Sequence, residues 1–136
     1  MPKLVYVSGY HNSGKTTFIE KLVKELKERG LKVGYIKHDP KGHAITDKEG
    51  SDTHRLFELL DRVALIGGGK LTLWDRIGCE PNKVVESYFS DFDVVVLEGW
   101  KGLKNVKRIV IGEIDLEGLK LNQVKDLEDV IDYVLS

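Results

Sequence analysis

Hydrophobic and polar positions along this chain switch between two periods, and the switches outline its elements. Residues 3–8 (KLVYVS) form a β-prone run that breaks into a Gly, Asn and Ser cluster from Gly9 to Gly14. From Thr16 the apolar positions Phe18, Ile19, Leu22, Val23 and Leu26 recur at helical spacing, with Lys and Glu between them and Gly30 placed as a C-terminal cap. Residues 32–38 (KVGYIKH) read as a second strand. The first 38 residues therefore predict a β-loop-α-β unit with parallel strands and a right-handed crossover.

Beyond it, residues 39–51 are polar and aperiodic, a loop long enough for so small a protein to suggest a ligand-responsive segment. Residues 52–60 predict a short helix with Leu56, Leu59 and Leu60 turned inward. Residues 62–66 and 71–74 flank a Gly67-Gly68-Gly69-Lys70 turn and predict a hairpin added to one edge of the sheet. A helix follows over 81–89. Residues 93–98 (DVVVLE) are the most apolar strand, and their lack of alternation suits a central parallel strand covered on both faces. Residues 107–111 supply another strand, and Leu127, Val130, Ile131, Val134 and Leu135 a closing amphipathic helix. The expected fold is α/β: one domain over residues 1–136 with a mainly parallel sheet, helices on both faces and an edge hairpin.

Composition narrows the functional classes. The 21 basic and 22 acidic residues leave a net charge of −1, which removes any global electrostatic attraction to nucleic acid or an anionic membrane. No apolar run approaches the ~20 residues that cross a bilayer, and the first apolar stretch is too short for a signal-peptide core. A cytoplasmic location is the expectation. The single cysteine, Cys79, precludes a disulfide within the chain. The histidines His11, His38, His43 and His54 and Cys79 lack the close pairs of a zinc site.

The chemistry concentrates at Gly9-Tyr10-His11-Asn12-Ser13-Gly14-Lys15-Thr16, which matches the phosphate-loop pattern G-x-x-x-x-G-K-[ST] in the required strand-to-helix context. Its glycines let successive N–H groups face one concavity, and the following helix adds partial positive charge there. Gly9, His11, Asn12, Ser13, Gly14, Lys15, Thr16 and Thr17 are the expected nucleotide-binding residues. Lys15 would reach the β- and γ-phosphates, and Thr16 would hold Mg²⁺. Such a site also uses a carboxylate at the end of an apolar strand, the place of Glu98, in contact with Mg²⁺ or its water. Lys15 and Glu98 are thus the catalytic candidates. At the end of the second strand, Lys37 could neutralise phosphate charge and Asp39 could approach Mg²⁺ or orient water. Asp93, at the opposite end of the apolar strand, reads as a boundary residue, and Asp52 as a helix N-cap. Asn82-Lys83-Val84-Val85 begins like a guanine-reading N-K-x-D element but lacks its carboxylate, so it does not assign the base.

These residues resemble the molybdopterin-guanine dinucleotide biosynthesis protein B family. The resemblance rests on the N-terminal phosphate loop, Lys37-His38 after the second strand, Asp52-Thr53 opening the next helix, and Val96-Leu97-Glu98-Gly99-Trp100-Lys101 late in the chain. It implies a GTP-binding homodimer, weak in GTP hydrolysis, that assists the molybdenum cofactor guanylyltransferase attaching GMP to the molybdopterin cofactor. It also implies that Lys37, His38, Asp52 and Lys101 line the facing cleft. The sequence departs from the family in the position of His43 and in Leu60-Asp61-Arg62, which replaces a small Ala-Gly-Ala stretch. Two other functions share such a loop. A small-molecule kinase needs lid arginines, and the chain offers only Arg29, Arg55, Arg62, Arg76 and Arg108; a metal-delivery GTPase needs soft ligands, which are sparse.

Overall fold

A strand that is apolar at every position has to be covered on both faces, and this requirement organises the chain. The computed structural model describes residues 1–136. Its strands are β1 (Lys3–Gly9), β2 (Val33–Lys37), β3 (Arg62–Gly67), β4 (Lys70–Asp75), β5 (Val94–Glu98), β6 (Arg108–Ile111) and β7 (Leu119–Lys120). Its helices are α1 (Lys15–Glu28), α2 (Asp52–Phe57), α3 (Pro81–Tyr88) and α4 (Leu127–Leu135). The chain divides into two compact units, residues 1–38 with 85–136, and residues 39–84.

The first unit carries a five-stranded parallel sheet in the order β2-β5-β1-β6-β7. The first and second strands are parallel, as expected, but they are not neighbours. The wholly buried β5 lies between them, pairing Val94 with Lys3 on one side and with Val33 on the other. On one face Val5, Val7, Val94, Val96, Ile109 and Ile111 pack with Phe18, Ile19, Leu22 and Leu26 of α1 and Val130, Ile131 and Val134 of α4. On the other, Tyr6, Val95 and Leu97 meet Val85 of α3 together with Phe89, Phe92 and Trp100. The period-3.6 stripes of α1 and α4 are thus the cover that β1, β5 and β6 demand.

Ends of elements follow from local chemistry. Gly30, at φ 83°, takes the left-handed conformation that closes α1, its N–H donating to the Lys27 carbonyl at 2.9 Å. The Asp126 carboxylate caps α4 by accepting from Asp129 N–H at 3.1 Å. At the amino edge of the sheet Asp93 accepts from Lys32 N–H at 2.7 Å, and its carbonyl accepts from Lys3 N–H at 2.9 Å. The boundary role expected of Asp93 is what these bonds describe.

In the second unit the 39–51 loop is ordered by its own carboxylates. Asp39 accepts from the N–H groups of His43 and Ala44 at 3.2 and 2.8 Å, and Asp47 accepts from the hydroxyls of Ser51 and Thr53. Ser51, not Asp52, is the N-cap of α2, accepting from His54 N–H; Asp52 is the first helical residue and pairs with Arg55 at 2.7 Å. A hydroxyl one residue earlier reaches the N3 amide, which leaves the Asp52 carboxylate free for its i,i+3 partner.

The hairpin forms as expected, with Gly68 and Gly69 at φ 61° and 76° giving the two-residue turn that matches strand twist. It does not extend the parallel sheet: β3 and β4 pair only with each other. Nor do Leu56, Leu59 and Leu60 turn inward; Leu59 is 80% exposed and the other two are exposed as well. A six-residue helix beside a two-stranded ribbon has no second layer to cover its apolar side. Arg76 joins helix and ribbon, stacking 4.0 Å from the Phe57 ring and donating to the carbonyls of Phe57 and Leu60.

Leu22→Ala removes a fully buried side chain between α1 and the sheet. It is expected to lower unfolding free energy by about 3 kcal/mol in urea titration; a loss under about 1 kcal/mol would mean that α1 does not close this face.

Candidate functional site

The site is built where β1 ends. Gly9 leads into a turn in which Asn12 and Gly14 adopt φ 60° and 88°, and α1 begins at Lys15 with no side chain capping it. The N–H groups of the first turn, Lys15, Thr16 and Thr17, have no partner within the helix. Gly9 is dictated by space: a Cβ there would lie 2.6 Å from the Ile111 carbonyl oxygen and 2.9 Å from Ser13 Oγ. The Ser13 hydroxyl is buried and has no hydrogen-bond partner of its own. Amides free at a helix N-terminus and two positive-φ residues before it form a concavity of the kind that suits phosphate oxygens.

A cavity of about 320 Å³ is lined by His11, Asn12, Ser13, Gly14, Lys15, Thr16, Thr17, Lys37 and Glu98. Parallel register explains the convergence. Glu98, the last residue of β5, stands opposite Val7 of β1 and Lys37 of β2, so the carboxylate and the β2 lysine reach the same edge as the loop. Glu98 is only 6% exposed, and its Oε1 accepts from the Tyr35 hydroxyl at 2.8 Å. Burial, then the bond to Glu98 and that group's charge, push the Tyr35 phenol well above its ordinary range, so it stays a donor.

Lys15 folds back over its own loop, donating to the carbonyls of Gly9 and Tyr10 at 3.1 and 2.8 Å. Burial holds its ammonium below the usual lysine range. The Glu98 charge opposes that shift, while those of Lys101 and Lys37 add to it. A cation partly stripped of water and held by two neutral carbonyls is poised for a stronger acceptor. Thr16 and Glu98 also place hard oxygen donors on one cavity, the ligand type that suits Mg²⁺ shared with phosphate oxygens.

Not every expected residue joins this cavity. The Lys101 ammonium lies 5.3 Å from the centre of the Tyr10 ring, and His38 stacks on Trp100 with ring centres 4.6 Å apart and planes 8° from parallel. Asp39 and Asp52 belong to the second unit, with the partners already described.

Three residues that the sequence reading passed over hold the site together. Arg108 opens β6 and is 2% exposed, yet it has no carboxylate partner. Its guanidinium donates to Ser8 Oγ at 3.1 Å, to the Trp100 carbonyl at 3.0 Å and to the Leu103 carbonyl at 2.6 Å. Ser8 in turn donates to the Gly99 carbonyl at 2.7 Å. The turn so gripped is strained: Gly99 has φ 112°, and Trp100, a bulky residue, has φ 49°. A Cβ on Gly99 would come within 3.0 Å of His38 Cβ. Tyr35, the third, had a legible signal, since it stands two residues before Lys37 and therefore on the same face of β2. For Arg108 the signal was weak, because Lys107 beside it makes the pair read as a solvated strand start.

A mainly parallel sheet with the Gly9–Thr16 turn at its carboxyl edge, a buried strand-end carboxylate beside it and helices on both faces defines an α/β protein. The chain belongs to the molybdopterin guanine dinucleotide synthesis protein B family, whose sequence profile matches residues 4–134. A Bacillus subtilis protein named "Probable molybdopterin-guanine dinucleotide biosynthesis adapter protein" is 36% identical over 86% of this chain and 70% of its own length. The molybdopterin-guanine dinucleotide biosynthesis adapter protein of Haemophilus influenzae is 29% identical over 98% of this chain and 72% of its own. The crystal structure of Bacillus subtilis MobB superposes with a TM-score of 0.72 at 26% identity, covering 98% of both chains.

Two substitutions test the clamp. Arg108→Met leaves buried carbonyls at Trp100 and Leu103 without a donor and is expected to cost roughly 3 kcal/mol in urea unfolding. Gly99→Ala, at a positive φ and against His38, is expected to cost about 1–3 kcal/mol. Wild-type stability in both would mean that the turn is not held as described.

Proposed function

We propose that this protein is a GTP-binding accessory protein of molybdenum cofactor maturation, acting with the guanylyltransferase that attaches GMP to molybdopterin. The observation that carries the reading is the single cavity lined by the phosphate loop, Lys15, Thr16, Lys37 and Glu98, in a chain of this family. The adapter names of its relatives support the role in that pathway. In this reading residues 1–136 act as one nucleotide-binding domain in the cytoplasm. No helix is long and apolar enough to cross a membrane.

On binding, the triphosphate oxygens take the free amides of the Lys15–Thr17 turn, and the Lys15 ammonium leaves the Gly9 and Tyr10 carbonyls for the β- and γ-phosphates. Lys37 adds a second positive charge at the same edge. Thr16, and Glu98 directly or through a water, would hold Mg²⁺, which would supply charge neutralisation for the phosphates. Hydrolysis is slow because the Glu98 carboxylate is engaged by Tyr35 and no arginine lines the cavity. The same point disfavours the kinase reading. Arg108 is spent on carbonyls, while Arg29, Arg55 and Arg62 pair with carboxylates and Arg76 holds Phe57 and Leu60.

The homodimer rests on the second unit. Its ribbon leaves Leu65, Ile66 and Leu71 exposed, Ile66 at 82%, alongside the exposed Leu56, Leu59 and Leu60 of the α2 segment. A lone two-stranded ribbon is marginal in water, and an apolar surface of this kind marks an interface. A second copy of the chain is the partner proposed here.

Equilibrium binding of GTP and ATP, with and without Mg²⁺, followed by phosphate release in the same samples, tests the reading. Expected are preference for GTP, slow release, and loss of most triphosphate affinity in Lys15→Ala; undiminished binding by that variant sinks the site. Glu98→Gln is expected to fold and to release phosphate more slowly than wild type, and unchanged turnover would make Glu98 a structural residue. In sedimentation, Ile66→Asp with Leu71→Asp is expected to convert a dimer to a monomer; a wild-type chain that sediments as a monomer ends the homodimer proposal.

A further inference from the structure

Glu98 is the one acidic residue lining the phosphate-loop cavity, and it shares that cavity with Lys15 and Lys37. Lys37 stands directly opposite it where β2 pairs with β5, so both side chains leave the same face of the sheet. A carboxylate only 6% exposed beside two cations is expected to pair with one of them, because a buried charge needs a partner. Glu98 does not. It makes no ion pair, and the hydrogen bond it accepts comes from a neutral group, the Tyr35 hydroxyl, at 2.8 Å.

Strand geometry explains how the phenol gets there. Tyr35 stands opposite Val96, two residues before Glu98, so it lies on the same face and meets the carboxylate on the diagonal, within reach of an aromatic side chain. β2 is an edge strand, hydrogen-bonded to β5 alone, and Tyr35 remains 44% exposed on it. Core packing therefore does not demand this residue; its directed contact is the one its hydroxyl makes. The lysines are meanwhile unspent. Lys15 donates to two neutral carbonyls, and Lys37 forms no ion pair. A phenol satisfies a carboxylate without neutralising it. An ion pair between Glu98 and Lys37 would instead take one charge of each sign out of the site, a cation from phosphate and an anion from a divalent ion.

We infer that Tyr35 is a positioning residue: by holding Glu98 through a neutral hydrogen bond it keeps the carboxylate off Lys37 and Lys15, leaving the lysines for phosphate oxygens and the carboxylate for a divalent cation. The inference rests on the nucleotide-binding function proposed above and adds to it how the site keeps its opposite charges apart before a ligand arrives. Tyr35 touches no phosphate; it acts through Glu98 alone. With the hydroxyl gone, the carboxylate is left in place with an unfilled acceptor, and the lysine directly opposite is its replacement partner. The site then meets its ligand already neutralised, and phosphate has to displace an ion pair to reach the lysine. Dependence on Glu98 is what a merely structural tyrosine does not share: once the carboxylate is an amide, no charge remains to capture a lysine.

The test is equilibrium binding of inorganic tripolyphosphate without metal, and of GTP across a Mg²⁺ titration, to the full chain and to Tyr35→Phe, Glu98→Gln and the double variant. Phenylalanine keeps the half-exposed ring and removes only the hydroxyl. Tyr35→Phe is expected to weaken metal-free tripolyphosphate binding by about 3- to 10-fold and to raise the Mg²⁺ concentration for half-maximal GTP binding by a similar factor. In the Glu98→Gln background the same substitution is expected to change tripolyphosphate binding by less than about 1.5-fold. Wild-type tripolyphosphate affinity in Tyr35→Phe would overturn the assignment. So would an equal loss with and without the Glu98 carboxylate, which would make Tyr35 a packing residue. Loss of binding in Lys15→Ala would leave the phosphate site standing in either case. Absence of tripolyphosphate binding by the wild-type chain, with Lys15→Ala indistinguishable from it, would overturn the phosphate site and the role of Tyr35 together.

Discussion

One buried guanidinium sets the geometry on which the rest of the first unit relies. Arg108 is a fixed charge with no carboxylate beside it, and its planar fork divides among a hydroxyl and two carbonyls from separate segments. Burying such a charge is costly, and neutral acceptors repay that cost only when each is well placed. The three partners are therefore held in position as firmly as they hold the arginine. Through Ser8 the grip extends to the Gly99 carbonyl, so the strained Gly99–Trp100 turn leaves β5 along one path. Glu98 immediately precedes that turn and Lys101 follows it. Their places are consequences of a contact on the far side of the strand.

The same sheet gathers charge at its carboxyl edge. Gly9 ends β1 at the carboxyl edge, with β5 on one flank and β6 on the other. The β5 flank brings Lys37 and Glu98 beside Lys15, a mixed arrangement that suits a polyanion and a divalent cation. The parallel register is what brings these scattered residues to one edge.

Much of this was legible because period and punctuation were strong. The Gly9–Thr16 turn, the α1 stripe ending at Gly30 and the apolar β5 all carried signals that local chemistry enforces, and the structure places each of them within a residue or two. The errors share a cause. The inward turn of Leu56, Leu59 and Leu60 and the edge position of the hairpin both assumed a second layer that residues 39–84 do not contain. Sequence pattern marks a side chain as apolar but does not say what covers it. Ser8, Tyr35 and Arg108 were missed because each acts through a partner more than 60 residues away, at a distance pattern cannot see. The β7 strand, two residues long, was too short to carry a period.

The distribution of chemistry between the two units bears on the kind of work the protein does. Lys15, Thr16, Lys37 and Glu98 lie together in the first unit, while the exposed leucines and Ile66 lie in the second. Nucleotide binding at the first would need no apolar surface, and exposed apolar side chains are a liability that a chain acting alone would bury. Their retention in a chain whose candidate site has an engaged carboxylate and no arginine fits the proposed role, in which nucleotide would govern association more than conversion. Binding energy at the loop can shift such an association only if the two bound states differ in affinity for the nucleotide. In the proposed function Lys15 would supply a local source for that difference, since its ammonium would exchange the two neutral carbonyls it now holds for a triphosphate and so change the loop it leaves.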